Sequence, residues 1–275
     1  MNRTESHWSI RSDPIINAPR SSKTMSIGIS YSVITICKNS DRTIGRTIDS
    51  VLRQDPLPLE YVFVDGGSTD ETRRIIEERD KEFNTPRRLC QFLILNQEGS
   101  RGITQAWNIG LAHCKGDVIF ILNSDDWYQD DTASTVLEAF YADREAELVV
   151  GNVAKFLRGG NSLLGTDRNR ALWFGHIMMP INHPACFVRR SVYERIGCFD
   201  TRFEYAADYD FILRCYKKRF RFLVIEKRLT NFELGGAANS HRREARMEVY
   251  MIGRKYFRFS PLPLMAFLIR YITRR

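Results

Sequence analysis

The sequence lacks the cysteine pattern of a zinc or redox centre. None of its six cysteines forms a C-x-x-C pair with another, and such pairs are the usual mark of zinc sites and reactive dithiols. Several of the six lie inside apolar stretches, which indicates reduced core residues in a cytosolic protein. The spacing therefore argues against a zinc centre. The cysteines are Cys37, Cys90, Cys114, Cys186, Cys198 and Cys215.

A long apolar run is also missing. The first 25 residues contain no hydrophobic stretch of the kind that a secretory signal needs, and we expect residues 1–30 to form a flexible extension. The apolar run at 262–269 is too short to span a bilayer, and Pro261, Pro263 and Arg270 interrupt or bound it. These absences predict a cytoplasmic protein without a spanning helix.

No recognised nucleic-acid-binding motif accompanies the basic composition. The chain carries a formal net charge of +8 and a pI of about 9.3, which alone would be compatible with nucleic acid. However, residues 241–275 contain nine Lys and Arg against two Glu, so this tail holds a net charge of +7 and the other 240 residues are nearly neutral. We therefore expect no nucleic-acid partner.

The basic tail, residues 241–275, mixes its cations with aromatic and aliphatic side chains such as Phe257 and Phe259. This mixture is typical of segments that bind an anionic membrane surface. A C-terminal helix packed on the core, with its basic face in water, would produce the same pattern, and the sequence leaves both explanations open. The first explanation predicts a protein held peripherally on the inner face of the cell membrane.

What the sequence does contain is an alternation of strand and helix patterns. Its 43% hydrophobic and 27% charged residues are typical of one large soluble domain. Between successive apolar strands, helical patterns place apolar residues on one face, as in the helix that carries Ile44, Ile48 and Val51. This alternation predicts an α/β fold in which helices cover both faces of a parallel sheet. The strands are predicted at 31–37, 59–64, 89–95 and 118–122.

Helix starts are predicted from local capping patterns. Ser68 is followed three residues later by Glu71, which fits a capping box and predicts that the second helix begins there. The third helix is predicted over 103–114, with Trp107 and Leu111 facing the core.

Polar side chains follow three of the predicted strands. Asn39, Asp65 and Asp125 each stand where a strand ends. Since parallel strands place their carboxyl ends at one edge of the sheet, where such folds bind ligands, we expect the three side chains to converge. The adjacent carboxylates Asp125 and Asp126 repel each other unless a cation or a donor neutralises them, so the segment alone supports metal or phosphate chemistry and helix capping equally.

Taken together, six blocks resemble the family 2 glycosyltransferases in order and spacing over about residues 31–240. Each block by itself is weak, but the six in order are specific. They are Ser32-Val33-Ile34-Thr35-Ile36-Cys37-Lys38-Asn39, Val62-Phe63-Val64-Asp65-Gly66-Gly67-Ser68-Thr69-Asp70, Gly102-Ile103-Thr104-Gln105-Ala106-Trp107-Asn108-Ile109-Gly110, Leu122-Asn123-Ser124-Asp125-Asp126-Trp127-Tyr128, His183-Pro184-Ala185-Cys186-Phe187-Val188-Arg189-Arg190 with Ile196-Gly197-Cys198-Phe199-Asp200, and Ala206-Ala207-Asp208-Tyr209-Asp210-Phe211.

The resemblance implies a GT-A fold over residues 31–240, between the extension 1–30 and the tail 241–275. It also implies transfer of a sugar, with inversion, from a UDP- or GDP-sugar to a saccharide or a lipid-linked saccharide. Assembly of a bacterial surface polysaccharide is a natural setting. Because a nucleoside diphosphate leaves, Mg²⁺ or Mn²⁺ is expected to offset its charge.

The family resemblance also assigns roles to residues. Asp125 matches the last acid of the D-x-D motif and is the expected metal ligand, whereas Asn123 replaces the usual first acid and weakens the case for a metal. Asp126 is expected to hold the end of the strand. Donor-binding roles are implied for Thr35, Cys37, Asn39, Asp65, Arg101, Asn108, Asn123 and Ser124.

Asp208 matches the catalytic base of the family, which takes the proton of the acceptor hydroxyl. The acid usual just before it is replaced by Ala207. Asp210 and His183 are expected to have structural roles, and Gly235-Gly236 resembles a loop that closes on the donor.

Two other functions remain open on the sequence. A sugar nucleotidyltransferase would need a glycine-rich phosphate loop after the first strand, and residues 37–41 contain no glycine. A catalytically inactive carbohydrate-binding or scaffolding protein at the membrane surface is compatible with Asn123 and Ala207, although the intact Asp65, Asp125 and Asp208 argue against it.

Overall fold

The structure, a computed structural model, describes residues 28–83, 90–97, 102–160, 162–169, 178–235 and 241–272. All statements below refer to these residues. Arg101 and Gly236, which belong to the predicted donor site and its loop, lie outside them, and so does the extension up to residue 27.

Four parallel strands form the first half of the sheet, in the order β3-β2-β1-β4. This confirms the predicted α/β alternation. Cys37 at the end of β1 pairs with Asp65, which in turn pairs with Asn96, so the carboxyl ends of these strands lie level. The elements are β1 (Tyr31–Cys37), α1 (Ile44–Leu52), β2 (Glu60–Asp65), α2 (Thr72–Phe83), β3 (Gln91–Asn96), α3 (Gly102–His113) and β4 (Val118–Ile121).

The second half continues the same sheet in the order β4-β8-β6-β9-β5, and β7 pairs with β6. Strands β6 and β9 run parallel to each other, whereas β8, β7 and β5 run antiparallel to their neighbours. A single 3-10 turn at His183–Ala185 precedes β8. The elements are β5 (Trp127–Tyr128), α4 (Thr132–Ala142), β6 (Leu148–Phe156), β7 (Leu163–Asp167), β8 (Cys186–Arg189), α5 (Arg190–Ile196), α6 (Ala207–Lys217), β9 (Phe222–Glu233), α7 (Arg242–Tyr256) and α8 (Leu262–Ile272).

Each face of the sheet packs against its own apolar layer. Side chains from alternate positions of β1 point to opposite faces, so Ile34 joins the layer beneath α3 and α6, and Val33 joins the layer beneath α1 and α4. The predicted apolar face of α1 is buried, which confirms that pattern. Gly110 lets α3 approach the sheet closely, because a Cβ on it would lie 2.6 Å from Ile34.

The start of α2 corrects the predicted capping box. The helix begins at Thr72, whose amide donates to the carboxylate of Asp70 at 3.0 Å. The hydroxyl of Ser68 instead donates to Asp65 at 2.6 Å. The sequence pattern was misleading because Ser68 is used by the strand-end loop and not by the helix.

The first helix of the C-terminal tail packs on the core. Ile252 of α7 is fully buried, and Phe257 just after it is buried in the same layer as α6. The packed-helix explanation of the basic tail thus holds for α7, while α8 leaves several apolar side chains exposed. In the described ranges, no helix has both the length and the apolar content needed to cross a membrane.

Candidate active site

Two loops at the carboxyl edge of the sheet are joined by a short relay of hydrogen bonds. The amide of Asn39 donates to the hydroxyl of Ser68 at 2.9 Å, and its side-chain oxygen accepts from the amide of Thr69 at 2.9 Å. Asn39 has a positive φ of 51°, which asparagine tolerates better than most residues. The loops after β1 and β2 are therefore held together, as the predicted convergence of their side chains requires.

Asp65 is the anchor of this relay. Its carboxylate accepts from the amide of Ser68 at 3.1 Å and from the hydroxyl of the same residue at 2.6 Å. The side chain is buried at the end of β2. Asp65 and Asn39 thus lie side by side at the edge where α/β folds bind nucleotides.

The loop after β4 is fastened to the same edge. The hydroxyls of Ser124 and Ser40 lie 2.8 Å apart. From α1, the hydroxyl of Thr47 donates to the carbonyl of Ser124 at 3.0 Å and to that of Asp126 at 2.7 Å. Residues 123–126 therefore stand next to the loop after β1, which brings the third predicted strand end to the other two.

The neighbours Asp125 and Asp126 have opposite environments. Asp126 is fully buried and accepts from the amide of Glu233 at 3.1 Å and from the side-chain amide of Asn123 at 3.2 Å. Burial raises the pKa of Asp126, and the adjacent carboxylate of Asp125 adds to the shift. Asp126 holds the strand end in place, as predicted.

The Asp125 carboxylate, in contrast, has no donor from any other described residue. It is half-buried, and burial raises the pKa of Asp125, as does the nearby carboxylate of Glu233, while its own amide and the charge of Arg46 oppose part of that shift. A poorly solvated carboxylate that accepts no hydrogen bond from another described residue is suited to a divalent cation. In the described part of the chain, no three acidic, histidine or cysteine side chains form a metal site by themselves. Such a cation would therefore need further oxygen ligands from a bound phosphate and water.

Arg46 organises the Asp125 loop, and the sequence reasoning missed it. Its guanidinium donates to the carbonyl of Asp125 at 2.9 Å and to the carboxylate of Glu233 at 2.6 Å, and it lies 3.7 Å from the centre of the Trp127 ring. Glu233 also accepts from the amide of Gly159 at 2.9 Å. The sequence offered little to find it, because Arg46 is one of two charged residues in α1, with Asp49, and charged residues are ordinary on the outer side of an amphipathic helix.

Asp208 lies in the first turn of α6 and is half-buried. Its carboxylate accepts from the amide of the next residue, Tyr209, at 2.8 Å and from no other described residue. The segment just before α6 sits against the start of α3, since the hydroxyl of Thr104 donates to the carbonyl of Phe203 at 2.6 Å. Because α3 starts beyond the carboxyl end of β3, Asp208 is on the same edge of the sheet as Asp65.

Asp210, unlike Asp208, is buried and bonded to protein donors, and the same contrast separates Asp126 from Asp125. It is fully buried and pairs with Arg214 at 2.9 Å and with Lys255 at 2.8 Å, and it accepts from the hydroxyl of Tyr256 at 2.9 Å. Both of its carboxylate oxygens accept hydrogen bonds from residues of α6 and α7, and it thereby joins the two helices, as expected for a structural residue.

His183 packs between two aromatic rings near Asp208. Its ring centre lies 5.1 Å from that of Trp107 and 6.0 Å from that of Phe199. Burial lowers the pKa of His183, although the negative charge of Asp208 opposes part of that shift. A buried, neutral imidazole between aromatic rings agrees with the predicted structural role.

Three predicted donor residues have side chains that are buried or bonded to other parts of the protein. Thr35 is buried, and its hydroxyl lies 3.0 Å from that of Tyr61. Cys37 is also buried, which raises the pKa of its thiol to about 12. β1 turns both side chains into the layer beneath α1, so neither side chain is presented at the edge of the sheet. Their donor-binding role stays a prediction.

Asn108 is the third of these residues. Its side-chain amide donates to the carbonyl of Phe199 at 2.9 Å, and its oxygen accepts from the amide of Phe199 at 3.0 Å. Both polar atoms are thereby used to join α3 to the segment before α6. The predicted donor residues that remain at the edge are Asn39, Asp65, Asn123 and Ser124.

Comparison with solved structures shows the same fold. TarS residues 1–349 of S. aureus, in complex with UDP, matches with a TM-score of 0.63 and 20% identity over 89% of this chain and 72% of that chain. A longer TarS structure is covered only to 39% of its length. The mannosyltransferase PcManGT of Pyrobaculum calidifontis, in complex with GDP-Man and Mn²⁺, matches with a TM-score of 0.66 and 21% identity over 86% of this chain and 68% of that chain. The predicted GT-A fold is confirmed.

Comparison of sequences identifies the family. The family described as Glycosyl transferase family 2 matches residues 32–197. A PGL/p-HBAD biosynthesis glycosyltransferase of Mycobacterium bovis (strain BCG / Pasteur 1173P2) is 32% identical over 219 residues, which cover 76% of this chain and 79% of that protein. The match includes the loops that carry Asn39, Asp65 and Asp125, and the chain therefore belongs to glycosyl transferase family 2 and is a glycosyltransferase.

Proposed function

We propose that this glycosyltransferase moves a sugar from a UDP- or GDP-sugar to a saccharide or lipid-linked saccharide, with inversion at the anomeric carbon. The observation that carries the proposal is a difference within two pairs of neighbouring acids, Asp125 with Asp126 and Asp208 with Asp210. Asp126 and Asp210 are buried and satisfied by protein donors, whereas Asp125 and Asp208 keep their carboxylates available. Sugar transfer from a nucleoside diphosphate requires a carboxylate that can bind a cation and a carboxylate that can accept a proton, both at the ligand-binding edge.

Asp125 is the residue that would hold Mg²⁺ or Mn²⁺. When bound, the cation offsets the charge that develops on the leaving diphosphate. Asn123 brings no charge, and its amide nitrogen already donates to Asp126. Asp125 is thus the charged ligand that this loop offers, and Arg46 keeps its backbone in place through the Asp125 carbonyl.

Asp208 is the proposed general base. An acceptor hydroxyl is a poor nucleophile, and a positioned carboxylate takes its proton as the bond to the sugar forms. Attack from the side opposite the leaving diphosphate inverts the anomeric carbon. His183 does not compete for the role, because it is buried between two rings and its pKa is lowered.

Related structures support the choice of donors. TarS has been solved with UDP and with UDP-GlcNAc, and PcManGT with GDP-Man and Mn²⁺. The mycobacterial relatives are named for PGL/p-HBAD biosynthesis. Both UDP- and GDP-sugars are therefore candidate donors, and assembly of a cell-surface glycolipid or polysaccharide is the proposed setting.

We further propose that the tail docks on an anionic membrane surface at the cytoplasmic side. The side chain of Phe259 is 94% exposed and that of Ile269 58% exposed, with Arg254 and Arg258 close by in the chain. Exposed apolar residues flanked by cations are suited to insertion beside anionic headgroups. A lipid-linked acceptor would be presented at that surface.

The proposed function is tested by calorimetry with a panel of UDP- and GDP-sugars in the presence of Mn²⁺, followed by assay of transfer and hydrolysis. We expect one donor class to bind and to release its nucleoside diphosphate. Addition of chelator should abolish turnover, and Asp125→Ala should make turnover insensitive to added metal. The exposed carboxylate variant Asp130→Asn is the control.

Other outcomes separate the alternatives. Release of pyrophosphate from a nucleoside triphosphate and a sugar phosphate would indicate a nucleotidyltransferase. Saccharide binding without any donor turnover would indicate an inactive carbohydrate-binding protein. Full turnover in excess chelator would contradict the metal role of Asp125 and leave the proposed transferase activity standing.

A further inference from the structure

Glu248 of α7 binds the backbone immediately before the helix that carries Asp208. Its carboxylate accepts hydrogen bonds from the amides of Glu204 at 2.9 Å, Tyr205 at 2.8 Å and Ala206 at 2.9 Å. Helix α6 begins at the next residue, Ala207, and Asp208 follows. One side chain from the C-terminal tail thus satisfies three successive backbone donors beside the proposed base.

This arrangement replaces a local helix cap. Ala206 is at the capping position of α6 and makes no side-chain cap hydrogen bond, whereas Ser, Thr, Asp or Asn usually fills that position. Hydrogen bonds from amides to an ionised carboxylate are shorter and stronger than those between neutral groups. The conformation of residues 204–206 therefore depends on a residue more than 40 positions further along the chain.

The same helix also holds the chain on the other side of Asp208. Lys255 and Tyr256, in the last turn of α7, both contact the carboxylate of Asp210. Glu248 and Lys255 are seven residues apart, about 10 Å along one face of a helix. Helix α7 thus bonds both to the backbone before Asp208 and to the side chain of Asp210, two residues after it.

Asp208 itself has little else to orient it. Its carboxylate accepts only from the amide of its own neighbour among the described residues. The position of that carboxylate relative to an acceptor hydroxyl is therefore set by the backbone at the start of α6.

We propose that Glu248 is a positioning residue for the general base Asp208, acting through the three amides before α6. This rests on the proposed function of Asp208. Glu248 does not touch the reacting atoms. Its role is to fix the start of α6 so that Asp208 meets the acceptor hydroxyl in a productive geometry, to which rates are very sensitive.

The test compares Glu248→Gln and Glu248→Ala with Glu244→Ala. Glu244 lies one turn earlier on α7, is exposed and makes no hydrogen bond to the segment before α6 in the described structure. We measure kcat, KM for the acceptor, donor Kd by calorimetry and the unfolding temperature of each variant.

We expect kcat to fall by about 10- to 100-fold in Glu248→Ala, because a misplacement of about 1 Å can cost that much. Glu248→Gln keeps one acceptor oxygen and should fall between Glu248→Ala and the wild type. Donor Kd should stay within about twofold, because the donor loops are held by their own contacts. Added formate should restore part of the turnover of Glu248→Ala by occupying the amides, and should not affect Glu244→Ala.

The proposal is overturned if Glu248→Gln and Glu248→Ala turn over like Glu244→Ala. It is also overturned if kcat and donor affinity fall together without formate rescue, or if both Glu248 variants fail to fold, since the residue is then merely structural. Failure of the proposed function would look different, because the wild-type protein itself would then show no donor turnover.

Discussion

The two halves of the molecule hold their acidic residues in different ways. At the carboxyl edge of the first half, short bonds between neighbouring loops fix Asn39, Asp65 and Ser124, and every partner lies within β1–β4 and their loops. In the second half, the backbone beside Asp208 is held by α7, from the C-terminal tail. The loops of Asn39 and Asp65 are therefore held within the first half, and the Asp125 loop is in addition fastened to Glu233 at the end of β9. The proposed base depends instead on a helix of the C-terminal tail.

This difference implies that binding and chemistry can be separated by mutation. Changes in the tail should reach Asp208 and leave the donor loops unaffected. Changes at Asp125 should weaken donor binding together with turnover. The predictions below test that separation, from the largest expected effect to the smallest.

Asp208→Asn is expected to lower kcat by about 10²- to 10⁴-fold, the usual contribution of general-base catalysis. The amide has nearly the same shape but cannot accept the hydroxyl proton. Steady-state assay with the preferred donor gives the measurement, and Asp130→Asn is the matched control. Turnover near the wild-type level would remove Asp208 from the mechanism.

Asp210→Ala is expected to lower the free energy of unfolding by about 2–3 kcal/mol, because it removes the hydrogen bonds that Arg214, Lys255 and Tyr256 donate to a buried carboxylate, while the two cations stay partly exposed. The exposed pair of Arg190 and Glu194 serves as comparison, and Glu194→Ala should cost at most about 0.5 kcal/mol. Urea unfolding of both variants gives the values. Equal losses would mean that α6 and α7 are not joined through Asp210.

The sequence predicted the first half of the molecule better than the second. Strand ends at Asn39, Asp65 and Asp125 were recognisable because each of these polar residues stands within three positions of the end of an apolar run. The structural roles of Asp126 and Asp210 were also anticipated from their positions beside better candidates.

What the sequence did not reveal has physical causes. Thr35 and Cys37 lie on a strand buried on both faces, so no alternation showed which way their side chains point. Asn108, Arg46 and Glu248 act through contacts with distant segments, which local patterns cannot reveal. Ser68 fitted the sequence pattern of a helix cap, but its hydroxyl bonds to Asp65, three residues earlier, and a sequence pattern cannot distinguish between these two short-range bonds.

Stability should decrease as the pH falls below about 6.5, the ordinary pKa of histidine. Burial lowers the pKa of His183 in the folded protein, so the unfolded chain binds a proton that the folded chain does not. Stability therefore rises with pH through this window, by at most about 1.4 kcal/mol per pH unit for one proton, and is unaffected above it. Urea unfolding from pH 5 to 8 measures the slope.

His183→Gln should reduce the slope of unfolding free energy against pH by the contribution of one proton, at most about 1.4 kcal/mol per pH unit. The matched control is His113→Gln, because His113 is an exposed residue at the end of α3. A variant with an unchanged slope would show that other groups cause the pH dependence.

The smallest effect is expected from the membrane-facing end of the tail. Each basic residue near an anionic surface contributes at most about 1 kcal/mol, reduced by salt. The protein should sediment with anionic vesicles at low salt, release at high salt and ignore neutral vesicles.

Removal of residues 260–275 should weaken vesicle binding and leave donor hydrolysis intact, because α7 and its contacts to α6 remain. Loss of the folded state on this truncation, or failure of the intact chain to bind anionic vesicles, would contradict the membrane proposal.

Calorimetry of nucleoside diphosphate binding to Asp208→Asn and to Asp125→Asn, each with and without Mn²⁺, tests the central claim most directly. The account predicts that Asp208→Asn binds UDP or GDP as tightly as the wild-type protein does, while Asp125→Asn loses the increase in affinity that Mn²⁺ provides. Equal weakening in both variants would contradict the separation of a donor site in the first half from a base in the second.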